Sequence, residues 1–240
     1  MGRKRRKGRG VRLARRLIIV VLLAVGGVYG WSWLQDHPEH NPYAPFDLRH
    51  PIGWATAKKL EVLKDDVPEC RAALNRSAVE FTALETIGSG ECRLNDRTQL
   101  PDFPFDPDTP TTTCSVAAGL ELWRERIVTP AARDILANEI ASIQHLGTFS
   151  CRRMYGDPDA PWSEHASANA IDIAGFVLAD GREISVLRDW PTDSAEAKFL
   201  RGVRDGACGI FSTVLSPDYN AAHADHFHFD QATRWAGVCR

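Results

Sequence analysis

The longest hydrophobic stretch of the chain is Leu17–Leu34, eighteen uncharged positions (LIIVVLLAVGGVYGWSWL) that follow a basic run. A run of that length predicts a helix about long enough to cross a bilayer when its ends snorkel. Beyond it the pattern becomes amphipathic. Apolar spacing predicts helices over 55–65, 116–127, 130–145 and 193–205, the third with Ala132, Leu136, Ile140 and Ile143 on one stripe. Ser115 and Thr129 stand as N-caps for the second and third helices, and Pro130 takes a first helical position, where its missing N–H is no loss. Short, partly β-branched runs predict strands at 79–86, 147–152, 170–177, 183–188, 210–215 and 226–230. Residues 101–113 (PDFPFDPDTPTTT) carry four prolines within ten positions and read as a long surface loop. Helices preceding a run of strands, without regular βαβ alternation, indicate an α+β domain with a mainly antiparallel sheet.

Charge divides the chain further. Residues 1–16 hold nine of the 29 Lys and Arg and none of the 31 Asp and Glu, so the remainder keeps 20 basic against 31 acidic residues, a net of −11. An acidic body lacks the basic face that phosphate contacts need, which argues against nucleic acid as a partner. Basic residues on one flank of the apolar run and Gln35-Asp36 on the other orient it with the N-terminus cytoplasmic and Trp31 and Trp33 at the far interface. The chain then divides into a basic cytoplasmic tail (1–16), a transmembrane anchor (17–34), a Pro-, His- and Asp-rich tether (35–43) and an exported domain (44–240). Cleavage of the run as a secretory signal would export the domain equally, although Val28-Tyr29-Gly30 is a poor cleavage site. The six cysteines all follow the membrane segment, with at least 21 residues between neighbours. An even count in an oxidising compartment predicts three disulfides, and the spacing argues against a structural zinc site, which wants close pairs.

Two segments carry candidate chemistry. In Ser163-Glu164-His165-Ala-Ser-Ala-Asn-Ala-Ile-Asp172-Ile173, a strand would turn Ile171 and Ile173 to one face and present Asp172 on the other, while the small residues 166–170 let His165 turn to the same point. In Asp225-His226-Phe227-His228-Phe229-Asp230, period two puts His226, His228 and Asp230 on one face and the two phenylalanines on the other. Two histidines and a carboxylate from separate strands would supply three zinc ligands and leave a position for water, the arrangement of a catalytic site. Among the other histidines, His37, His40 and His50 lie in or near the tether, His145 follows the apolar helix stripe and is placed to cap it, and His223 reads as a loop histidine. No nucleophile elbow, phosphate-binding loop or dinucleotide fingerprint is present in the sequence.

The pattern Ser163-x-His165-x6-Asp172 followed by Asp225-x-x-His228 resembles the zinc site of the D-Ala-D-Ala carboxypeptidases and dipeptidases, the lysostaphin-type endopeptidases and the hedgehog signalling domain. A closer resemblance, over roughly residues 44–239, is to the bacterial extensin-like C-terminal domain family. It runs through His50-Pro51-Ile-Gly53-Trp-Ala-Thr56, Phe149-Ser150-Cys151-Arg152, Ser163-Glu164-His165-Ala166-x-x-Asn169-Ala170-x-Asp172 and His226-Phe227-His228. These resemblances imply a hedgehog/D-Ala-D-Ala peptidase-like α+β fold at the outer side of a bacterial inner membrane. They imply zinc held by His165, Asp172 and His228, with Asp225 as general base and His226 as the competing base. Ser163 then matches a substrate-touching position, and Arg152 or Arg153 would stabilise the oxyanion. The function so implied is zinc-dependent hydrolysis of peptide bonds in cell-wall peptidoglycan, and the alternative is a non-catalytic zinc-stabilised binding or scaffold domain of the cell envelope.

Overall fold

The structure, a computed structural model, describes residues 7–232 and 237–240, with side chains from residue 10 onward. Residues 1–6 of the basic tail and 233–236 of the domain lie outside the described residues. Helix α1 (Lys7–Asp36) is long and apolar enough between Gly10 and Asp36 to serve as a membrane span or signal anchor, and none of its apolar window packs inside the molecule.

The domain is α+β. Among the described residues, helices α2 (Thr56–Leu63), α3 (Val67–Arg76), α4 (Cys114–Trp123), α5 (Thr129–Leu136), α6 (Val186–Asp189) and α7 (Ala195–Ala207) accompany nine strands. Strands β1 (Thr82–Ala83) and β2 (Thr98–Gln99) pair by themselves. The main sheet comprises β3 (Phe105–Asp106), β4 (Ile140–Gly147), β5 (Ala170–Leu178), β6 (Glu183–Ser185), β7 (Thr213–Leu215), β8 (Phe227–Asp230) and β9 (Val238–Cys239). Its order is β3-β4-β5-β8-β7-β9, with β6 pairing the second half of β5. All pairs are antiparallel except β3 with β4 and β7 with β9.

One face of the sheet builds the core. Ile171, Ile173, Phe227 and Phe229 are buried there, with Trp123 of α4 packed edge-on to Phe229 at 5.2 Å and Phe199 of α7 against Phe176 at 5.0 Å. The Trp123 indole N–H donates to the Val203 carbonyl at 2.8 Å and so ties α4 to α7. The alternation in β5 and β8 then sends Asp172, His228 and Asp230 to the opposite face, which is the basis of the site.

Several sequence expectations change. Ser115 and Thr129 are not caps. The run from Cys114 to Leu136 is continuous through a π turn at Arg124–Val128, and a widened turn accommodates Pro130, which has no N–H to offer. The N-terminus of α4 is held instead by Asp96, whose carboxylate accepts from the Cys114 N–H at 2.5 Å. The helix foreseen over 130–145 ends at Leu136, where Ala137 turns left-handed (φ 50°), and 140–147 is strand. Ile140 and Ile143 fit helical spacing, but Ile143 pairs with Phe176 across the sheet. His145 therefore caps nothing; its Nε2 lies 3.0 Å from the Asp108 carbonyl. Helix α3 is an addition to the expected helices: Asp66 caps it by accepting from the Glu69 N–H at 3.1 Å and Pro68 opens it. Strand 79–86 shrinks to two residues, and 147–152 is largely loop.

The three disulfides join Cys70 to Cys114, Cys92 to Cys151 and Cys208 to Cys239. The segment 35–43 does not hang free. Its short 3-10 helix Pro38–His40 packs on the domain, and Asn41, Phe46, Asp47 and Leu48 are buried.

Candidate metal centre

Asp172 and His228 are direct cross-strand partners in the β5–β8 register, so their side chains rise side by side from one face. His165 arrives from a 3-10 turn, Glu164–Ser167, that Ala168 reverses in a left-handed conformation (φ 55°). That turn is built in: the Asn169 amide donates to Glu164 Oε2 at 2.6 Å, its carbonyl oxygen accepts from the Thr113 hydroxyl at 2.9 Å, and Ser150 N–H donates to the His165 carbonyl.

The result is a triangle of donor atoms. His165 Nε2 lies 3.1 Å from His228 Nδ1 and 3.2 Å from Asp172 Oδ1, and the last two are 3.0 Å apart. The outer ring nitrogens settle the tautomers. His165 Nδ1 faces the Thr148 carbonyl at 3.1 Å, which can only accept, and His228 Nε2 faces the Asp230 carboxylate at 2.9 Å. Both outer nitrogens therefore donate, and two imidazole lone pairs and a carboxylate oxygen converge on one point. Tetrahedral zinc with bonds of 2.0–2.1 Å spaces its ligands by about 3.3–3.4 Å, close to the edges of this triangle, and histidines oriented by a carboxylate and a carbonyl are the usual support of such ligands.

The electrostatics agree with a centre that calls for positive charge. Burial by itself raises the Asp172 carboxyl, yet the adjoining His165 and His228 rings hold it well below the usual carboxylate range. Burial lowers His228, but the hydrogen bonds to Asp172 and Asp230 push it up to about 9.

His226 stands beside the triangle, with Nε2 3.6 Å from Asp172 Oδ1. Its Nδ1–H donates to Asp225 Oδ1 at 2.7 Å, which leaves the Nε2 lone pair facing the centre. Asp225 itself is 55% exposed and lies on the far side of that ring. Ser163 caps the 3-10 turn, its Oγ accepting from the His165 N–H at 3.3 Å. Arg153 is engaged within its own loop, lying over the Trp162 ring at 4.8 Å and donating to the Ala160 carbonyl at 2.6 Å. Arg152 is exposed, and its carbonyl accepts from the Ser163 N–H, which keeps it at the rim of the loop that carries His165.

Several contributors had little signal in the sequence. His223 is buried against the rings of His226 and His228 at 5.2 and 5.9 Å. Burial, aided by repulsion from His228 and His226, pushes it down to about 4. Asn220 orients it by accepting from its Nδ1–H at 2.8 Å, and the Asn220 amide donates to the Tyr155 hydroxyl at 3.3 Å, bridging the two loops at the site. Tyr155 occupies the left-handed region (φ 55°), a conformation that costs a non-glycine residue about 1–3 kcal/mol. Asp230 was legible only as a member of the His226–His228 face, and the Thr148 carbonyl, a backbone group, left no trace.

Fold and site together define an α+β domain with a buried two-histidine, one-carboxylate cluster on the polar face of its sheet. Over residues 68–240 the chain matches the family described as extensin-like protein C-terminus, and it belongs to that family. No curated protein and no solved structure matches it.

Proposed function

We propose that this protein is a zinc-dependent hydrolase of peptide bonds in cell-wall peptidoglycan, with a hedgehog/D-Ala-D-Ala peptidase-like domain held by α1 at the outer face of a bacterial inner membrane. The observation that carries the reading is the convergence of His165 Nε2, Asp172 Oδ1 and His228 Nδ1, with both histidines' other nitrogens committed as donors. Zinc held there would polarise a carbonyl and acidify a water.

The chain's own groups then divide the work. His226, its Nδ1–H fixed by Asp225, has the Nε2 lone pair free to take a proton at the centre and return it to the departing amine. This geometry favours His226 over Asp225 as the base and makes Asp225 its orienting partner. Arg152, exposed at the rim, is the better placed of the two arginines to meet an oxyanion, since Arg153 is already held by Trp162 and Ala160. Ser163 serves first as a cap, so any contact with substrate would be in addition to that role.

The test is turnover of a muropeptide set containing both D,D and L,D linkages by zinc-loaded protein. Cleavage that is lost in His226→Ala while zinc stays bound supports the hydrolase. Absence of cleavage across the set, with one zinc retained, would discard it in favour of the zinc-stabilised scaffold.

A further inference from the structure

At the C-terminal end of α1, four aromatic rings form a stack. Trp33 lies on His37 with centroids 4.4 Å apart and on His40 at 5.3 Å, and His40 lies on Trp54 at 5.7 Å. All three contacts are within 18° of parallel. Backbone and side-chain hydrogen bonds brace the stack against the domain. Ala55 N–H donates to the Glu39 carbonyl at 3.3 Å, Trp54 N–H to His40 Nδ1 at 3.3 Å, and the buried Lys59 ammonium to the Pro38 carbonyl at 2.7 Å. Gly53 passes so close that a Cβ there would meet the Glu39 carbonyl oxygen at 2.3 Å. The joint between the apolar helix and the domain is thus packed, not a swivel.

Two large aromatic side chains at this joint remain open to the outside. Trp54 is 65% and Tyr43 88% exposed; Trp54 joins the exposed Trp33 of α1 through His40, and Tyr43 follows His40 by three residues. Trp and Tyr combine an apolar body with a polar tip, which suits the headgroup layer of a bilayer better than bulk water. The stack keeps Trp54 two ring spacings from Trp33, near the level at which α1 would leave the hydrocarbon.

We propose that the Tyr43–Trp54 face is a lipid-docking surface, its rings seated in the headgroup layer beside α1, and that the Trp33–His37–His40–Trp54 stack holds the domain in one orientation on the bilayer. This rests on reading α1 as a membrane span. A lipid surface is the occupant because the Trp54 ring joins, through His40, the end of an apolar helix whose hydrophobic window is not buried anywhere in the molecule. The contact is aromatic: Asp36 and Glu39 flank the stack, so anionic lipid is not required and salt does not release it.

The test uses the full chain in phosphatidylcholine vesicles containing lipids brominated at shallow or central acyl positions. Of seven tryptophans, Trp54 is isolated by the difference between wild type and Trp54→Phe, in which the ring that meets His40 is retained. The expected Trp54 emission is blue-shifted, quenched most by the shallow bromolipid, shielded from aqueous iodide and unchanged by high salt. Tyr43→Ser should shift it to the red. Emission that iodide quenches and bromolipid does not, while the remaining tryptophans respond to bromolipid, would overturn the docking surface and leave the span intact. Failure of the chain to sediment with vesicles, with no tryptophan quenched by lipid, would overturn the span and the docking surface together.

Discussion

Asp230→Asn is the sharpest perturbation of the centre because it removes no atom of the donor triangle. Asp230 is 4% exposed, and both its oxygens are used: Oδ2 accepts from His228 Nε2 at 2.9 Å and Oδ1 from the Ala232 N–H at 2.8 Å. Asparagine has one acceptor oxygen. If that oxygen stays with Ala232, the amide NH2 faces His228 Nε2 and forces the proton to Nδ1, the nitrogen that points into the triangle. Loss of such an orienting partner lowers metal affinity by roughly 10–100-fold, about 1.4–2.7 kcal/mol. If the oxygen turns to His228 instead, the NH2 opposes the Ala232 N–H and a buried hydrogen bond is lost, at about 1–3 kcal/mol of stability. Competition titration against a chromophoric zinc chelator reads the first outcome, and thermal unfolding of the same samples reads the second. Wild-type zinc affinity together with a wild-type Tm would refute the assignment of His228 Nδ1 as a lone pair held ready by Asp230.

Further outcomes follow from the same geometry. The raised His228 stabilises the metal-free fold fully below its unfolded value near 6.5, and that contribution, about 3 kcal/mol, is lost as pH climbs to about 9. Calorimetry should therefore show the metal-free Tm falling across that window while zinc affinity rises; a flat Tm would contradict it. Asp172, depressed, works in the opposite sense: its contribution is present above the usual carboxylate range and disappears on strong acidification, seen as acid unfolding of the metal-free chain. His226→Ala should cut muropeptide turnover by roughly 10²–10⁴-fold with zinc content unchanged, and Asp225→Asn by less; an Asp225→Asn loss as large as that of His226→Ala would return the base role to Asp225. Gly175→Ala places a methyl 2.4 Å from the Ile184 carbonyl oxygen, so denaturant unfolding should show a loss of about 1–3 kcal/mol; an unchanged midpoint would mean that β6 moves aside freely.

Period-two patterning proved the most readable layer of the chain. The Ile171/Ile173 and Phe227/Phe229 pairs set the core faces of β5 and β8, and from them the opposite face of Asp172, His228 and Asp230 follows. Where helical and strand spacings coincide, the pattern misleads: Ile140 and Ile143 extend the stripe of α5, yet a left-handed Ala137 breaks the helix with a residue that gives no stop signal. Long-range caps are equally silent, as with Asp96 holding the start of α4 from eighteen residues away. Close to the site, the opaque parts are those that depend on loops meeting in space. Nothing local links Tyr155 to Asn220, or sets His223 against His228, and the partner of His165 Nδ1 is a backbone carbonyl that any residue would supply.

The most direct measurement of the centre is the metal content of the purified, disulfide-bonded chain by elemental mass spectrometry, beside His228→Ala and with the fold of both followed by circular dichroism. About one zinc per chain in the wild type, lost from a folded His228→Ala, is the expected result. Wild-type protein that takes up no zinc even after dialysis against it would contradict the convergence of His165, Asp172 and His228 on a cation, and with it the hydrolase built on that centre.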